Sequence, residues 1–265
     1  MVEAKRYGLE VHEDKTKILW NGMGRGTSAD KLEIGGRSFE VIRDEASTMY
    51  LGRLLSFQNV HDTELKHRFA KGWAKFAIYR NELTNNCYSL RQRMRLFASV
   101  VQPSVLYGCV SWSMTKQREH SFRTVQRKMV RKIVGTRPAR VTDEQGDVSL
   151  EDHVLWMKRA TRKAEEALEK HGVPCWVEES YRRKYRWAGH VARRDDERWS
   201  RQVLCWNPVG VRAQGRPLTR WSDALNKFFD SVSAALGQCI DWMSLTKDRD
   251  EWKQFETPFV EFCTG

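Results

Sequence analysis

D-T-E-L-K-H-R-F-A-K-G-W-A-K-F-A-I-Y-R-N-E-L, from Asp62 to Leu83, is where the hydrophobic period of this chain turns helical. Leu65, Phe69, Trp73, Phe76 and Leu83 recur at the spacing of one helix face, with Lys66, Arg68, Lys71 and Lys75 between them. Asp62 is placed to cap that helix, because a short carboxylate can accept the unpaired N–H groups of a first turn. The same period continues downstream. Ser89 reads as the cap of a second helix carrying Met94, Phe97, Val100 and Val101 and stopping near Pro103. A third runs from about Lys116 to Val134, with Phe122, Val125, Met129 and Ile133 inward and Gly135 as its stop. Three amphipathic helices can bury one shared core.

Upstream the pattern is different. Lys31 to Ile34 and Arg37 to Ile42 are short alternating segments joined by Gly35-Gly36, the composition of a tight hairpin turn. The glycine-rich stretch Gly22 to Gly26 reads as a loop and not as a phosphate cradle, since a hairpin follows it where a cradle needs a helix. Beyond the third helix, Arg137 to Asp147 has no sustained period and reads as a linker. Ser149 to Asp152 then resembles a capping box, opening a helix with Leu150, Val154, Met157, Ala164 and Leu168 inward and Gly172 and Pro174 after it. Further helices are expected over Glu179 to Arg194, from Pro217 or Thr219 through Trp221, Leu225, Phe228, Val232 and Leu236 to Gly237, and from Asp241 through Trp242, Leu245 and Trp252. The fold class is therefore mainly α, with a small α+β part and a β-hairpin at the N-terminus.

The composition fits a folded chain: 265 residues, 40% of them hydrophobic and 11% aromatic. With 46 Lys and Arg against 34 Asp and Glu, a formal charge of +12, a polyanionic partner is favoured over an acidic small molecule. Six scattered cysteines without a C-x-x-C pair, and no apolar leader, point to reduced thiols in an intracellular protein, nuclear or cytoplasmic. No apolar run approaches the ~20 residues of a membrane span, so no membrane partner is expected.

Two stretches near the N-terminus, G-L-E-V-H-E-D-K-T-K from Gly8 to Lys17 and Tyr50-Leu51-Gly52, resemble the last two palm motifs of reverse transcriptases of the non-LTR (LINE-type) retrotransposon class. Gln102 to Gly108, Q-P-S-V-L-Y-G, is similar to the proline break and L-x-Y-G of that family's thumb. Three later runs also resemble family members: Arg186 to Arg193 (R-W-A-G-H-V-A-R), Gly215 to Trp221 (G-R-P-L-T-R-W) and Asp248 to Trp252 (D-R-D-E-W). The resemblance implies a palm remnant over 1–60, a helical thumb over 61–136, a linker over 137–148 and a basic helical C-terminal region over 149–265. It implies a primer-grip role for Tyr50, Leu51 and Gly52, and a place near the nucleotide phosphates for Lys15 or Lys17. The family's metal-binding aspartates stand in an F-A-D-D or Y-A-D-D tetrad, which this sequence lacks. Hence no catalytic residue and no cofactor are expected in this chain, magnesium belonging only to a full-length enzyme. RNA, DNA and an N-terminal polymerase part are the implied partners. The alternatives are a nucleic-acid-binding module derived from a retroelement, and the product of a decayed element.

The residues themselves point the same way. Arg182, Arg183, Lys184, Arg186, Arg193 and Arg194 interleave with Tyr185 and Trp187, as phosphate pairing and base stacking would require. A helix would turn Tyr181, Tyr185 and Ala188 inward and Arg182, Arg186 and Arg193 outward. Arg216 and Arg220 flank a helix start, where the dipole favours an anion, or else belong to a solvated basic face. Trp187, Trp221 and Trp252 read as core residues, and so do Phe69, Trp73 and Met129. His171, Cys175, His190 and Cys205 lack the paired spacing of a zinc site. Asp195, Asp196 and Glu197 read as solvent-facing partners of nearby arginines.

Overall fold

The computed structural model describes residues 6, 8, 10–20, 30–43, 46–57, 59–142, 147–194, 196, 198–206 and 219–265. The loop read at Gly22 to Gly26, and Gly215, Arg216 and Pro217, lie outside them. The chain divides into two units, Met1–Ala70 and Lys71–Gly265.

In the first unit, β1 (Lys17–Leu19), β2 (Lys31–Ile34) and β3 (Arg37–Ile42) form a sheet of order β1-β3-β2. The hairpin falls where the sequence places it: Ile34 pairs with Arg37, and Gly35 and Gly36 take φ of 60° and 74°. Strand β1 is an addition, parallel to β3 through Ile18 and Val41. Three residues are too few to show an alternation. A second pair, β4 (Thr48–Tyr50) and β5 (Arg53–Leu55), turns through Leu51 and Gly52. Helix α1 (Val60–Ile78), whose residues from Lys71 on belong to the second unit, starts two residues before Asp62, whose own N–H bonds the Asn59 carbonyl at 2.9 Å. Asp62 therefore sits in the first turn, facing the positive end of the helix dipole, and is not the cap.

The second unit is helical: α2 (Arg80–Thr84), α3 (Leu90–Leu96), α4 (Gln102–Val105), α5 (Lys116–Val134), α6 (His153–Lys170), α7 (Trp176–Ala192), α8 (Trp199–Cys205), α9 (Asp223–Leu236), α10 (Trp242–Leu245), α11 (Arg249–Gln254) and α12 (Glu256–Thr264). Ser89 caps α3 in a full capping box with Gln92. The helical run ends at Val105, two residues past Pro103 and close to the stop read from the sequence. Before the proline the backbone widens into a π turn over Phe97–Val101, with Gln102 N–H bonded to the Phe97 carbonyl five residues back. A proline lacks its N–H and crowds the carbonyl four residues back, and one wide turn relieves both. Helix α5 has the bounds read from the sequence, capped by Thr115 and closed by Gly135 at φ 70°. Its buried face is Phe122, Gln126, Met129, Val130 and Ile133, and Val125 is only half-buried.

Inside the stretch read as a linker, β6 (Arg140–Thr142) pairs with β7 (Val148–Leu150). All six residues are exposed, so no hydrophobic alternation announces them. Ser149 lies on β7, and the cap of α6 is Asp152, accepting from Val154 and Leu155 N–H. The small residues Ala160, Ala164 and Ala167 make the buried stripe of α6, letting it lie close to α5, while Leu150 and Val154 stay exposed. Trp221 precedes α9, whose first residue is Asp223. The helix expected from Asp241 through Trp252 is two, since Asp241 caps α10 and Asp248 caps α11 afresh.

The core gathers around α7, which packs on α5 and α12. Trp176 and Phe97 stack at 5.7 Å, and the buried Gln126 amide serves both Pro174 C=O and Trp176 N–H. Tyr185 stacks on Trp252 at 4.0 Å and donates its hydroxyl to the Trp252 carbonyl at 2.7 Å. Gly189 faces the Trp252 indole so closely that any Cβ would collide with it. Two of the runs picked out in the sequence thus meet as packing partners. Among the described residues no helix is long and apolar enough to cross a membrane.

Candidate nucleic-acid interface

Helix α7 has two faces. Tyr181, Tyr185 and Ala188 are buried, as the helical reading requires, and burial pushes both tyrosine hydroxyls well above their usual pKa. The Tyr181 hydroxyl donates to the buried Glu119 carboxylate at 2.9 Å. Lys184 belongs to this inner face. It is 2% exposed, its Nζ lies 5.0 Å from the Trp221 ring centroid and 3.4 Å from the Trp112 carbonyl, and burial lowers its pKa to about 8. An inward-facing ammonium cannot meet a phosphate in solvent.

The outer face carries the arginines, most of them held by the protein itself. Glu179 accepts from Arg182 at 3.2 Å and from Arg183 at 2.7 Å. Glu256 grips Arg186 with two bonds of 2.8 and 2.7 Å, and this pairing raises the guanidinium's pKa. The same carboxylate lies 3.6 Å from Arg182. Arg193 donates to the Thr246 carbonyl at 3.1 Å, and its pKa is lowered by burial and then by Arg249. Arg194 approaches the His190 ring at 3.3 Å. Arg220 is exposed, its backbone N–H bonded to Asp223, while Arg216 lies outside the described residues.

The three tryptophans divide. Trp252 is buried, and Trp221 is half-buried with its indole N–H on the Val110 carbonyl at 2.6 Å. Trp187, read as core, is 41% exposed and lines a cavity of about 700 Å³ together with Trp199 and Trp206. On the buried side Gly189 is small because the Trp252 indole occupies the space a Cβ would need. Among the described residues no three His, Cys, Asp or Glu side chains form a metal-binding group. Asp196 pairs with Arg198 at 2.9 Å.

In the first unit, Tyr50, Leu51 and Gly52 form the tip of the β4–β5 hairpin. Tyr50 and Leu51 are 61% and 75% exposed, and both turn residues have positive φ, 47° at Leu51 and 76° at Gly52. That conformation costs a leucine roughly 1–2 kcal/mol. It is held by a pair that sequence reading missed. Glu64, fully buried, accepts from Leu54 N–H at 2.6 Å and from Arg68 Nε at 2.7 Å, and Arg68 also donates to the Gly52 carbonyl. Their four-residue spacing on a helix was the available signal. Lys15 is exposed in a turn, whereas Lys17 on β1 pairs with Glu40 of β3.

The chain is 30% identical over 247 residues to a transposon-derived protein of Caenorhabditis elegans, the alignment covering 92% of this chain and 81% of that relative. No protein-family model matches the chain. No solved structure matches it either.

Proposed function

The chain belongs to a family of transposon-derived proteins, and from that premise we propose that it is the trailing part of a LINE-type reverse transcriptase, holding RNA or DNA without polymerising it. The observation that carries this reading is the position of Tyr50-Leu51-Gly52 at the exposed tip of a hairpin pinned by Glu64 and Arg68. A strained, projecting turn supports a contact role, because strain of this kind persists where the surroundings over-determine it. In this reading Tyr50 and Leu51 rest against a primer end, and Lys15 lies nearer the phosphates than Lys17, which pairs with Glu40. Arg183, Arg186, Arg194 and Arg220 contact phosphate, and Trp187 offers a base its exposed face. Lys184 serves the core beneath them. The absence of an F-A-D-D or Y-A-D-D tetrad supports assigning the chain no phosphoryl transfer, a step that needs carboxylate-held metal ions.

Fluorescence anisotropy with labelled RNA, single-stranded DNA and duplex tests the proposal. Affinity should fall at least tenfold between roughly 50 and 200 mM salt and depend little on sequence. Failure to bind any of the three at low salt would overturn it, as would template-dependent primer extension by residues 1–265.

A further inference from the structure

A group of cations lies together at the C-terminal end of α5. Lys128 and Lys132, four residues apart on one face, have no ion-pair partner among the described residues, and neither has Arg137 just beyond the helix. Arg131 lies between them, donating to Thr161 Oγ1 at 2.9 Å, with its pKa lowered by burial and by the neighbouring Arg127. These four side chains line a cavity of about 530 Å³ to which no acid contributes. The contrast with a second cavity beside α5 is direct: there Arg123 and Arg127 stand with Glu165, Glu169 and Glu178.

Two indoles line the same basic cavity, Trp73 from α1 and Trp156 from α6, both half-buried. The Trp156 N–H donates to the Thr136 carbonyl at 3.2 Å, which fixes the ring against the wall. Thr136, lining the cavity too, has a buried hydroxyl with no hydrogen-bond partner. Four like charges concentrated without an acid call for a multiply charged anion, and flat apolar rings beside them call for a planar partner. A carboxylate chain supplies the first and not the second. A duplex supplies phosphates but keeps its base faces stacked away. The volume lies within the ~300–1,000 Å³ of small-ligand pockets.

We infer that this cavity holds an unpaired nucleotide of a single strand, its phosphates on Lys128, Arg131, Lys132 and Arg137 and its base against Trp73 or Trp156. The inference rests on the nucleic-acid reading above and adds a site that the arginine run of α7 does not include. Anisotropy with a fluorescein-labelled oligothymidylate of about 20 nucleotides and with a duplex of equal length tests it, using the wild type, a Lys128→Ala/Lys132→Ala/Arg137→Ala variant and Trp156→Leu. Circular dichroism melts accompany each variant. The triple variant should lose about tenfold or more in single-strand affinity, with a salt slope shallower by about 2, at roughly 0.7 per phosphate contact. Trp156→Leu should weaken single-strand binding about fivefold or more and leave duplex binding unchanged. A wild type that binds neither probe overturns the broader reading. A wild type that binds, with a triple variant equal to it in affinity and slope, overturns only the cavity. Polyglutamate competing as well as the oligonucleotide also overturns the nucleotide assignment. If Trp156→Leu fails to fold, photocrosslinking of an iodouracil-substituted strand to the wild type decides: adducts on Trp73 or Trp156 support the site, and adducts confined to other peptides overturn it.

Discussion

Helices α5 and α7 are both dense in Arg and Lys, yet their charges have different work. On α7, Arg182, Arg183 and Arg186 are held by Glu179 and Glu256, Arg193 is tied to a carbonyl, and Lys184 is buried. On α5 the acids meet the first turns, through Glu119 with Lys116 and Arg123 and through Glu165 with Arg127, and the last turns are left basic. A cation already sharing a carboxylate must give up that contact before it can neutralise a phosphate. The sequence alone favours the longer, more aromatic run on α7 as the main contact, whereas the pairing favours the end of α5.

Lys184 offers the largest break in this comparison, because it treats an α7 cation as structure. Burial lowers its pKa from 10.5 to about 8, while Cys263 and Asp223 oppose that shift. A lysine whose folded pKa lies below its unfolded value destabilises the fold wherever it is charged in both states. Between about pH 8 and 10.5 the unfolded chain binds more protons, so stability should rise with pH across that window. The full cost below it is about 3 kcal/mol, partly offset by the contact with the Trp221 ring. Lys184→Met should therefore be more stable than the wild type at pH 7, by about 1–3 kcal/mol in urea denaturation. The gap should narrow by pH 10. A less stable variant at pH 7 would mean that the ammonium anchors Trp112 and Trp221 by more than its burial costs.

Glu256 sharpens the comparison from the other direction. Glu256→Gln removes the charge that holds Arg186 in two bonds and lies near Arg182, and so makes α7 more like α5. Single-strand affinity should rise about two- to fivefold, with a salt slope steeper by up to about 1. Arg186 is well exposed, so the stability loss should stay within about 1 kcal/mol. Unchanged affinity in anisotropy would remove the α7 arginines from the interface.

What the sequence made legible was local. Gly35-Gly36, the Ser89 cap of α3 and the Gly135 end of α5 are each decided by a few neighbouring residues, and the structure has them in place. The mainly α architecture followed from helical period in the same way. Side-chain direction at α7 was half legible: period put Tyr181 and Tyr185 inside, but it could not tell that Lys184 joins them or that Trp187 does not, since both depend on where Trp221 and Trp252 arrive. Pro103 marked the stop to within two residues, because a π turn accommodates the proline and lets the helix run on to Val105. The basic cavity was invisible, for Trp73 on α1 and Trp156 on α6 are far apart in sequence and line one space only in the folded chain.

The smallest effect concerns what positions the cavity's outermost cation. Glu151, just past β7, accepts from the Ala139 N–H at 3.0 Å and from Arg159 at 3.1 and 2.5 Å, and Arg159 also donates to the Arg137 carbonyl at 2.9 Å. The Arg159 bonds first, and the Ala139 N–H second, lower the Glu151 pKa from 4.5 to about 2. A carboxyl whose folded pKa is depressed stabilises the fold above its unfolded pKa, and that contribution drains away as pH falls from about 4.5 toward 2. The pair is close to solvent, so salt and water screen it and the effect should be slight. Wild type should melt a little above Glu151→Gln at pH 6, and the gap should close by about pH 2. Because the clamp reaches the Arg137 backbone, Glu151→Gln should also cost a small part of single-strand affinity at neutral pH, less than loss of the Arg137 side chain itself. If the melting gap survives at pH 2, or the affinity does not move, β6 and β7 are held by their own pairing and Arg137 takes its place at the cavity without help from Glu151.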